Sequence, residues 1–278
     1  MHLAVGKPDS AESCRRRFAY LDLKGGWVSD FAQVSKSGAD YRIGIDVKPM
    51  KSIARSEERL LSVAANRLFV FDMDGTLLIK TTACIEIAKA AGTLDQLQIL
   101  EQKFAGGEID ALGFAKQIGA LWGMIDEQIV RAAFEATPKI NNIKAVTDLI
   151  RKGGGTSCLI TMSPDFYAYL FYDYGFDLIG ASQFPRSSEE EVRPEKILSP
   201  KDKAMIVRRW CNQLGLEINK CVAFGDSMSD YILFKELEHT VSINGDPTLK
   251  ALARYHYEGF DLQDAFLTVC SELVSCPP

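Results

Sequence analysis

The sequence has 278 residues, 47% of them hydrophobic, which suffices for one large domain with an insert or for two modest domains and excludes a disordered or fibrous protein. Its 32 Lys and Arg residues against 37 Asp and Glu residues give a formal net charge of -5, so no overall basic field would collect phosphates and we expect no nucleic-acid partner. The first residues lack the apolar stretch of a signal peptide, and no window reaches the roughly 18 apolar residues of a membrane helix, which predicts a cytoplasmic protein without a membrane partner.

The first 65 residues form the least regular part of the chain. Strands are predicted over residues 17–23 and 41–47, separated by breaks at residues 25–26 and 37–38 that contain Gly and Ser. No fold follows from this pattern, so residues 1–65 are interpreted as an N-terminal extension.

Short apolar runs then alternate with helical periodicity. Residues 68–71, 158–160, 221–224 and 241–243 have the composition of buried parallel strands. Amphipathic segments such as residues 206–214 lie between the later runs and are typical of crossover helices. This pattern predicts an α/β fold, a doubly wound parallel sheet formed by residues 66–80 and 138–278, with ligands bound at the carboxyl ends of the strands.

The interval of residues 81–137 differs because its helical patterns follow one another with no strand between them. Four helices are predicted from apolar residues at helical spacing, and Pro138 ends the series. A helical block inserted after the first strand of a parallel sheet predicts a small cap domain over the active edge.

Two carboxylates, Asp72 and Asp74, directly follow the first buried run. Their spacing in extended chain aims both side chains the same way. Gly75 then allows a sharp turn whose N–H groups suit a phosphate. Because neighbouring carboxylates repel each other, a divalent cation is expected between them.

A second acidic pair, Asp226 and Asp230, follows the run at residues 221–224. Thr161 ends the second predicted strand at the same sheet edge, and Lys203 begins an amphipathic helix from which it can reach a phosphate. Mg²⁺ prefers oxygen ligands and retains water, so acids from two adjacent strands predict a magnesium site. Lys201, two residues earlier, is the rival to Lys203.

Taken together, these residues resemble the four ordered motifs of haloacid dehalogenase superfamily phosphatases over roughly residues 66–250. The helical insert and residues 87–92 resemble the phosphoserine phosphatase branch of that superfamily. The residues that carry the resemblance are Asp72-x-Asp74-Gly75-Thr76, Thr161, Lys203 and Gly225-Asp226-x-x-x-Asp230.

The resemblance implies a role for each matched residue. Asp72 would attack phosphorus to give an aspartyl-phosphate, and Asp74 would protonate the leaving group, activate water and bind Mg²⁺ through its backbone carbonyl. Asp226 would ligate Mg²⁺, while Asp230 would support the metal or Lys203. The residues expected to contact phosphate or substrate are Gly75, Thr76, Thr161, Met162, Ser163 and Lys203.

Some positions depart from the serine-specific relatives. Thr81 or Thr82 stands where those relatives carry a Glu for the substrate amine, and their carboxylate-binding Arg falls near Ile118. The resemblance therefore predicts a phosphatase for a small phosphorylated metabolite other than phosphoserine.

Two alternatives remain open. An aspartyl-phosphate can be passed to an alcohol, as in a phosphotransferase or phosphomutase. A noncatalytic binding protein on the same fold would use residues 1–65 as its interaction surface. The oligomeric state is not predicted, and a homodimer is among the options.

Overall fold

The computed structural model describes residues 15–21, 27–37, 40–46 and 61–273. The chain divides into two compact units, Met1–Glu58 and Arg59–Pro278. The sequence analysis predicted that the N-terminal extension ends at residue 65. Val63 and Ala64 are buried within the larger unit, so the residues just before the first core strand contribute to its apolar core.

The smaller unit contains a three-stranded antiparallel sheet in the order β1-β2-β3. The two predicted strands correspond to β1 and β3, while the ends of both predictions, residues 22–23 and 47, lie outside the described residues. The middle strand was not predicted because its apolar residues do not alternate regularly with polar ones. The bounds are β1 (Arg15–Leu21), β2 (Trp27–Ser37) and β3 (Asp40–Asp46).

The larger unit is built on a six-stranded parallel sheet in the order β6-β5-β4-β7-β8-β9. Alternate residues of the central strand β4 enter two apolar cores on opposite faces, Phe69 and Phe71 on one and Leu68 and Val70 on the other. The predicted doubly wound sheet is therefore confirmed. The strands are β4 (Leu68–Phe71), β5 (Thr156–Pro164), β6 (Leu178–Ser182), β7 (Cys221–Gly225), β8 (His239–Ile243) and β9 (Tyr255–Tyr257).

Helices cover both faces of this sheet and form the insert between β4 and β5. No helix among the described residues is both long and apolar enough to cross a bilayer. Their bounds are α1 (Ala83–Ala91), α2 (Leu94–Ala105), α3 (Ala111–Trp122), α4 (Glu127–Ala136), α5 (Ile143–Lys152), α6 (Asp165–Ala168), α7 (Pro200–Leu214), α8 (Tyr231–Glu236), α9 (Pro247–Leu252) and α10 (Leu262–Leu273).

The insert consists of helices α1 to α4, which match the four helices predicted from periodicity. Side chains of Asp110 and Asp126 accept backbone hydrogen bonds at the starts of α3 and α4, which explains where these helices begin. The chain enters and leaves the insert along two paired segments, since Ile79 N donates to Pro138 O and Ile140 N donates to Leu77 O, both at 2.9 Å. The helical cap thus connects to the sheet directly after the end of β4.

Candidate active site

Asp72, the first residue of the first acidic pair, lies at the carboxyl end of the central strand β4. Its backbone N–H donates to Phe224 O at 2.9 Å, which continues the pairing of β4 with β7 by one residue. The side chain is only 5% exposed. The sheet therefore places this carboxylate beside the end of β7, where the second acidic pair begins.

Lys203 lies on the buried face of α7 and joins the two acidic pairs. Its ammonium group is 2.6 Å from Asp72 Oδ1 and 2.8 Å from Asp230 Oδ1, and the side chain is 1% exposed. It also donates to Ser229 Oγ at 3.0 Å. Lys201, the rival in the sequence, is exposed. Ser229 was not predicted, because a serine in a polar loop carries no sequence signal for a partner 26 residues away.

Asp72, Asp226 and Asp230 form an acidic cluster in which one carboxylate oxygen from each lies within 4.8 Å of the others. Asp230 Oδ2 accepts from Asp226 N at 3.2 Å. Asp226 Oδ1 is buried and has no hydrogen-bond partner among the described residues. A buried carboxylate oxygen without a donor, beside two other hard oxygen donors, fits a divalent cation.

The electrostatics of the acidic cluster also favour a divalent cation. Three carboxylates against one ammonium leave these groups with a formal charge of -2. Burial, followed by the neighbouring Asp230, raises the pKa of Asp226 to about 7. Burial also raises the pKa of Asp72, although Lys203 opposes this shift. Burial lowers the pKa of Lys203, but Asp230 and Asp72 outweigh it, so the net pKa is raised and the lysine stays charged.

Asp74 is engaged differently from the acidic cluster. Its Oδ1 accepts from Ala83 N at 2.7 Å, and its Oδ2 accepts from the hydroxyls of Thr161, at 3.3 Å, and Ser163. Burial raises the pKa of Asp74, and the bonds from Ser163 and Ala83 oppose that shift. The carboxylate is therefore fixed between the end of β5 and the start of α1.

The remaining predicted residues lie in the same region. Thr76 is 1% exposed and its hydroxyl has no hydrogen-bond partner among the described residues, while Met162 is half-buried between Thr161 and Ser163. Their contacts with a phosphate or substrate stay predictions.

Gly75 occupies a position where any side chain would be strained and would collide with Asp226. Its φ is +81°, and a Cβ atom there would lie 2.1 Å from Asp226 Oδ2. We expect Gly75→Ala to lose about 1–2 kcal/mol of stability from backbone strain and to displace Asp226. Gly92→Ala is the matched control, since Gly92 has φ +70° but no atom within 4 Å of the added carbon.

Thermal unfolding and calorimetric titration with a divalent cation separate the two effects of this substitution. Both glycine variants should unfold at lower temperature, but only Gly75→Ala should bind the cation about tenfold more weakly, equivalent to about 1.4 kcal/mol of binding. Unchanged cation binding in Gly75→Ala would show that this close approach does not shape the acidic cluster.

Comparisons with known proteins place the same region in a family. The family model for haloacid dehalogenase-like hydrolases matches residues 69–235. No curated protein matches the sequence.

Several solved structures share the fold at low sequence identity. One is described as a phospho-aspartyl intermediate analogue of phosphoserine phosphatase, with a TM-score of 0.60, 19% identity, and coverage of 74% of this chain and 99% of the other. A probable phosphoserine phosphatase from Vibrio cholerae gives a TM-score of 0.62 at 19% identity, covering 87% and 80%. A HAD family hydrolase from Salmonella enterica serovar Typhi gives 0.63 at 15% identity, covering 91% and 89%.

Proposed function

The chain belongs to the haloacid dehalogenase-like hydrolase family, and on that premise we propose that it is a magnesium-dependent phosphatase that hydrolyses a small phosphorylated metabolite through an aspartyl-phosphate. The observation that carries the proposal is the convergence of Asp72, Asp226 and Asp230, two of them paired with Lys203, at the sheet edge where Thr161 and Asp74 also lie. A solved relative is described as a phospho-aspartyl intermediate analogue, which is consistent with this chemistry.

In the proposed reaction, an oxygen of Asp72 attacks phosphorus and the bond from phosphorus to the leaving oxygen breaks. Asp74 gives its proton to that oxygen, and the alcohol departs. Asp74 then takes a proton from water as the water oxygen attacks the aspartyl-phosphate, which releases phosphate and restores Asp72. Lys203 and Thr161 offset the negative charge that the phosphoryl group carries during both transfers.

We propose that Asp72 and Asp226, with the backbone carbonyl of Asp74, hold Mg²⁺, and that Asp230 supports this site through its contacts with Lys203 and Asp226 N. When bound, Mg²⁺ supplies Lewis-acid stabilisation of phosphoryl oxygens. The protein's own contribution is a buried set of carboxylates whose mutual repulsion the cation relieves.

Two observations favour a substrate other than phosphoserine. Thr81 Oγ1 donates to Glu86, and Thr82 Oγ1 accepts from Ile85 N at the start of α1, so the hydroxyls at the aligned positions are engaged within the insert. Ile118 is 0% exposed in the apolar core, so no cation is offered at that position for a substrate carboxylate. We therefore propose a phosphorylated metabolite that is less zwitterionic.

The test is release of inorganic phosphate from a panel of phosphorylated metabolites, measured with Mg²⁺ and again with EDTA. We expect at least one substrate to be hydrolysed only with the metal. Radiolabelled phosphate followed in the presence of alcohols distinguishes hydrolysis from transfer. If no ester is hydrolysed with Mg²⁺ present, the proposal is wrong.

Metal removal should also change stability in a pH-dependent way. In the metal-free protein the pKa of Asp226 is about 7, above the value near 4 of an unfolded aspartate. A raised folded pKa contributes stability at low pH that is lost as pH rises from about 4 to about 7. Mg²⁺ at about 100 times its Kd should add about 2.7 kcal/mol, and we expect a larger increase in Tm at pH 8 than at pH 5. Equal increases at both pH values would contradict binding at these carboxylates.

A further inference from the structure

The carboxylate of Asp74 receives hydrogen bonds on both oxygens from two separate parts of the chain. Ala83, the first residue of α1 in the insert, donates its N–H to Oδ1 at 2.7 Å. The hydroxyls of Thr161 and Ser163, at the end of β5, both donate to Oδ2. Together these donors fix the direction in which the carboxylate faces.

The two hydroxyls are not equivalent. Thr161 Oγ1 is 3.3 Å from Asp74 Oδ2 and also accepts from Ser163 N at 3.1 Å. A hydroxyl has one hydrogen to donate. When Thr161 donates that hydrogen to a phosphoryl oxygen, as in the proposed function, it can no longer donate it to Asp74.

Ser163 makes the closer contact with Asp74, and its single hydrogen is used there. Ser163 can therefore stay hydrogen-bonded to Asp74 Oδ2 while Thr161 donates its hydrogen to the phosphoryl group. The sequence analysis predicted that Ser163 contacts phosphate or substrate, which stays a prediction; in the structure its hydroxyl donates to the carboxylate of Asp74.

We infer that Ser163 is a positioning residue that keeps Asp74 aligned with the leaving oxygen of the substrate. The inference rests on the proposed function, because it assumes that Asp74 transfers a proton. Without Ser163, Oδ1 would stay bound to Ala83 N, and the carboxylate could rotate about that one remaining contact during the reaction.

Proton donation matters most when the leaving oxygen is strongly basic. Phenyl phosphate releases a more basic phenolate than p-nitrophenyl phosphate, so its first step depends more on Asp74. In a two-step reaction, kcat/KM reports events up to formation of the aspartyl-phosphate. The ratio of kcat/KM for the two esters thus measures how well Asp74 is placed, independently of the amount of active enzyme.

We expect Ser163→Ala to lower kcat/KM for phenyl phosphate by about 10–100-fold and for p-nitrophenyl phosphate by less than about threefold. Ser163→Thr, which keeps a hydroxyl, should restore much of the loss. Ser163→Cys keeps the volume with a weaker donor and replaces the alanine variant if that variant does not fold.

The matched control is Ser157→Ala. Ser157 lies near the start of the same strand β5, is 0% exposed, and donates its hydroxyl to an aspartate, Asp177, at 2.9 Å. Its removal costs a similar buried hydrogen bond at the opposite end of the strand. We expect a lower Tm and an unchanged ratio between the two esters.

Asp74→Asn sets the scale, because it removes the proton donor itself and should show the strongest discrimination between the esters. If Asp74→Asn discriminates and Ser163→Ala lowers both esters equally or neither, the positioning role is wrong and the proposed function stands. If Asp74→Asn itself fails to discriminate, the acid role of Asp74 is wrong, and the inference about Ser163 falls with it.

Discussion

We expect Asp72→Asn to lose about 10³–10⁶-fold in kcat, the range seen when a nucleophile that forms a covalent intermediate is removed. The amide matches the carboxylate in shape, so its oxygen can still accept the 2.6 Å hydrogen bond from Lys203. An amide lacks the negative charge needed to attack phosphorus. Activity should therefore be lost while the fold is kept, which circular dichroism and thermal unfolding can verify.

The control for this variant is Asp177→Asn. Like Asp72, Asp177 accepts a hydrogen bond from a cation, here Arg151, and it accepts another from Ser157, but it lies at the amino end of the strands, away from the acidic cluster. Acid-quenched protein incubated with a radiolabelled phosphate ester should carry covalent label in the wild type and in Asp177→Asn, and none in Asp72→Asn. Label or turnover retained in Asp72→Asn would overturn the proposed nucleophile.

The central strands and their acids were predictable because the signals are local. A short apolar run followed at once by a carboxylate marks both β4 with Asp72 and β7 with Asp226. Parallel strands bring their carboxyl ends to one edge, so the sequence order of the motifs was enough to predict their convergence. Lys203 also carried a signal, because it shares the buried face of α7 with Val207 and Trp210 at helical spacing.

Other features depend on contacts that sequence patterns do not encode. Strands β6 and β9 were not predicted, since β6 contains Gly180 and is only partly buried over most of its length, and β9 has three residues. The orientation of Asp74 was also beyond the spacing argument. Strand β4 ends at Phe71, so the alternation of an extended segment no longer governs the residues that follow it.

The partners of the buried carboxylates explain how a highly charged site is compatible with a stable fold. Each carboxylate loses hydration on burial, and that cost is recovered only where a donor or cation replaces the water. Lys203 is the cation that compensates Asp72 and Asp230, whereas Asp226 Oδ1 has no donor among the described residues. The protein's ammonium group thus offsets part of the charge, and the remaining negative charge supports the divalent cation that we propose for this site.

Lys203→Met should be strongly destabilising, by about 3–5 kcal/mol, because it leaves two buried carboxylates without their cation. The side chains of Lys203, Asp72 and Asp230 are 1%, 5% and 2% exposed, so solvent does little to screen the interaction. Lys201→Met is the matched control, since Lys201 is exposed in the first turn of the same helix. Chemical denaturation in EDTA gives the free energy of unfolding of each variant, and we expect the Lys201 change to stay within about 0.5 kcal/mol.

The loss of stability in Lys203→Met should be larger at high pH than at low pH. Removing the ammonium group, which opposes the rise caused by burial, raises the folded pKa of Asp72 further above the unfolded value near 4. Groups with a raised folded pKa favour the folded state at low pH and cease to do so as pH rises through the folded pKa. The difference in free energy of unfolding between Lys203→Met and the wild type should therefore be smaller at pH 5 than at pH 8. A difference that is constant across this range, or no greater than that of Lys201→Met, would mean that Lys203 does not compensate these carboxylates and that the charge balance proposed for the site is wrong.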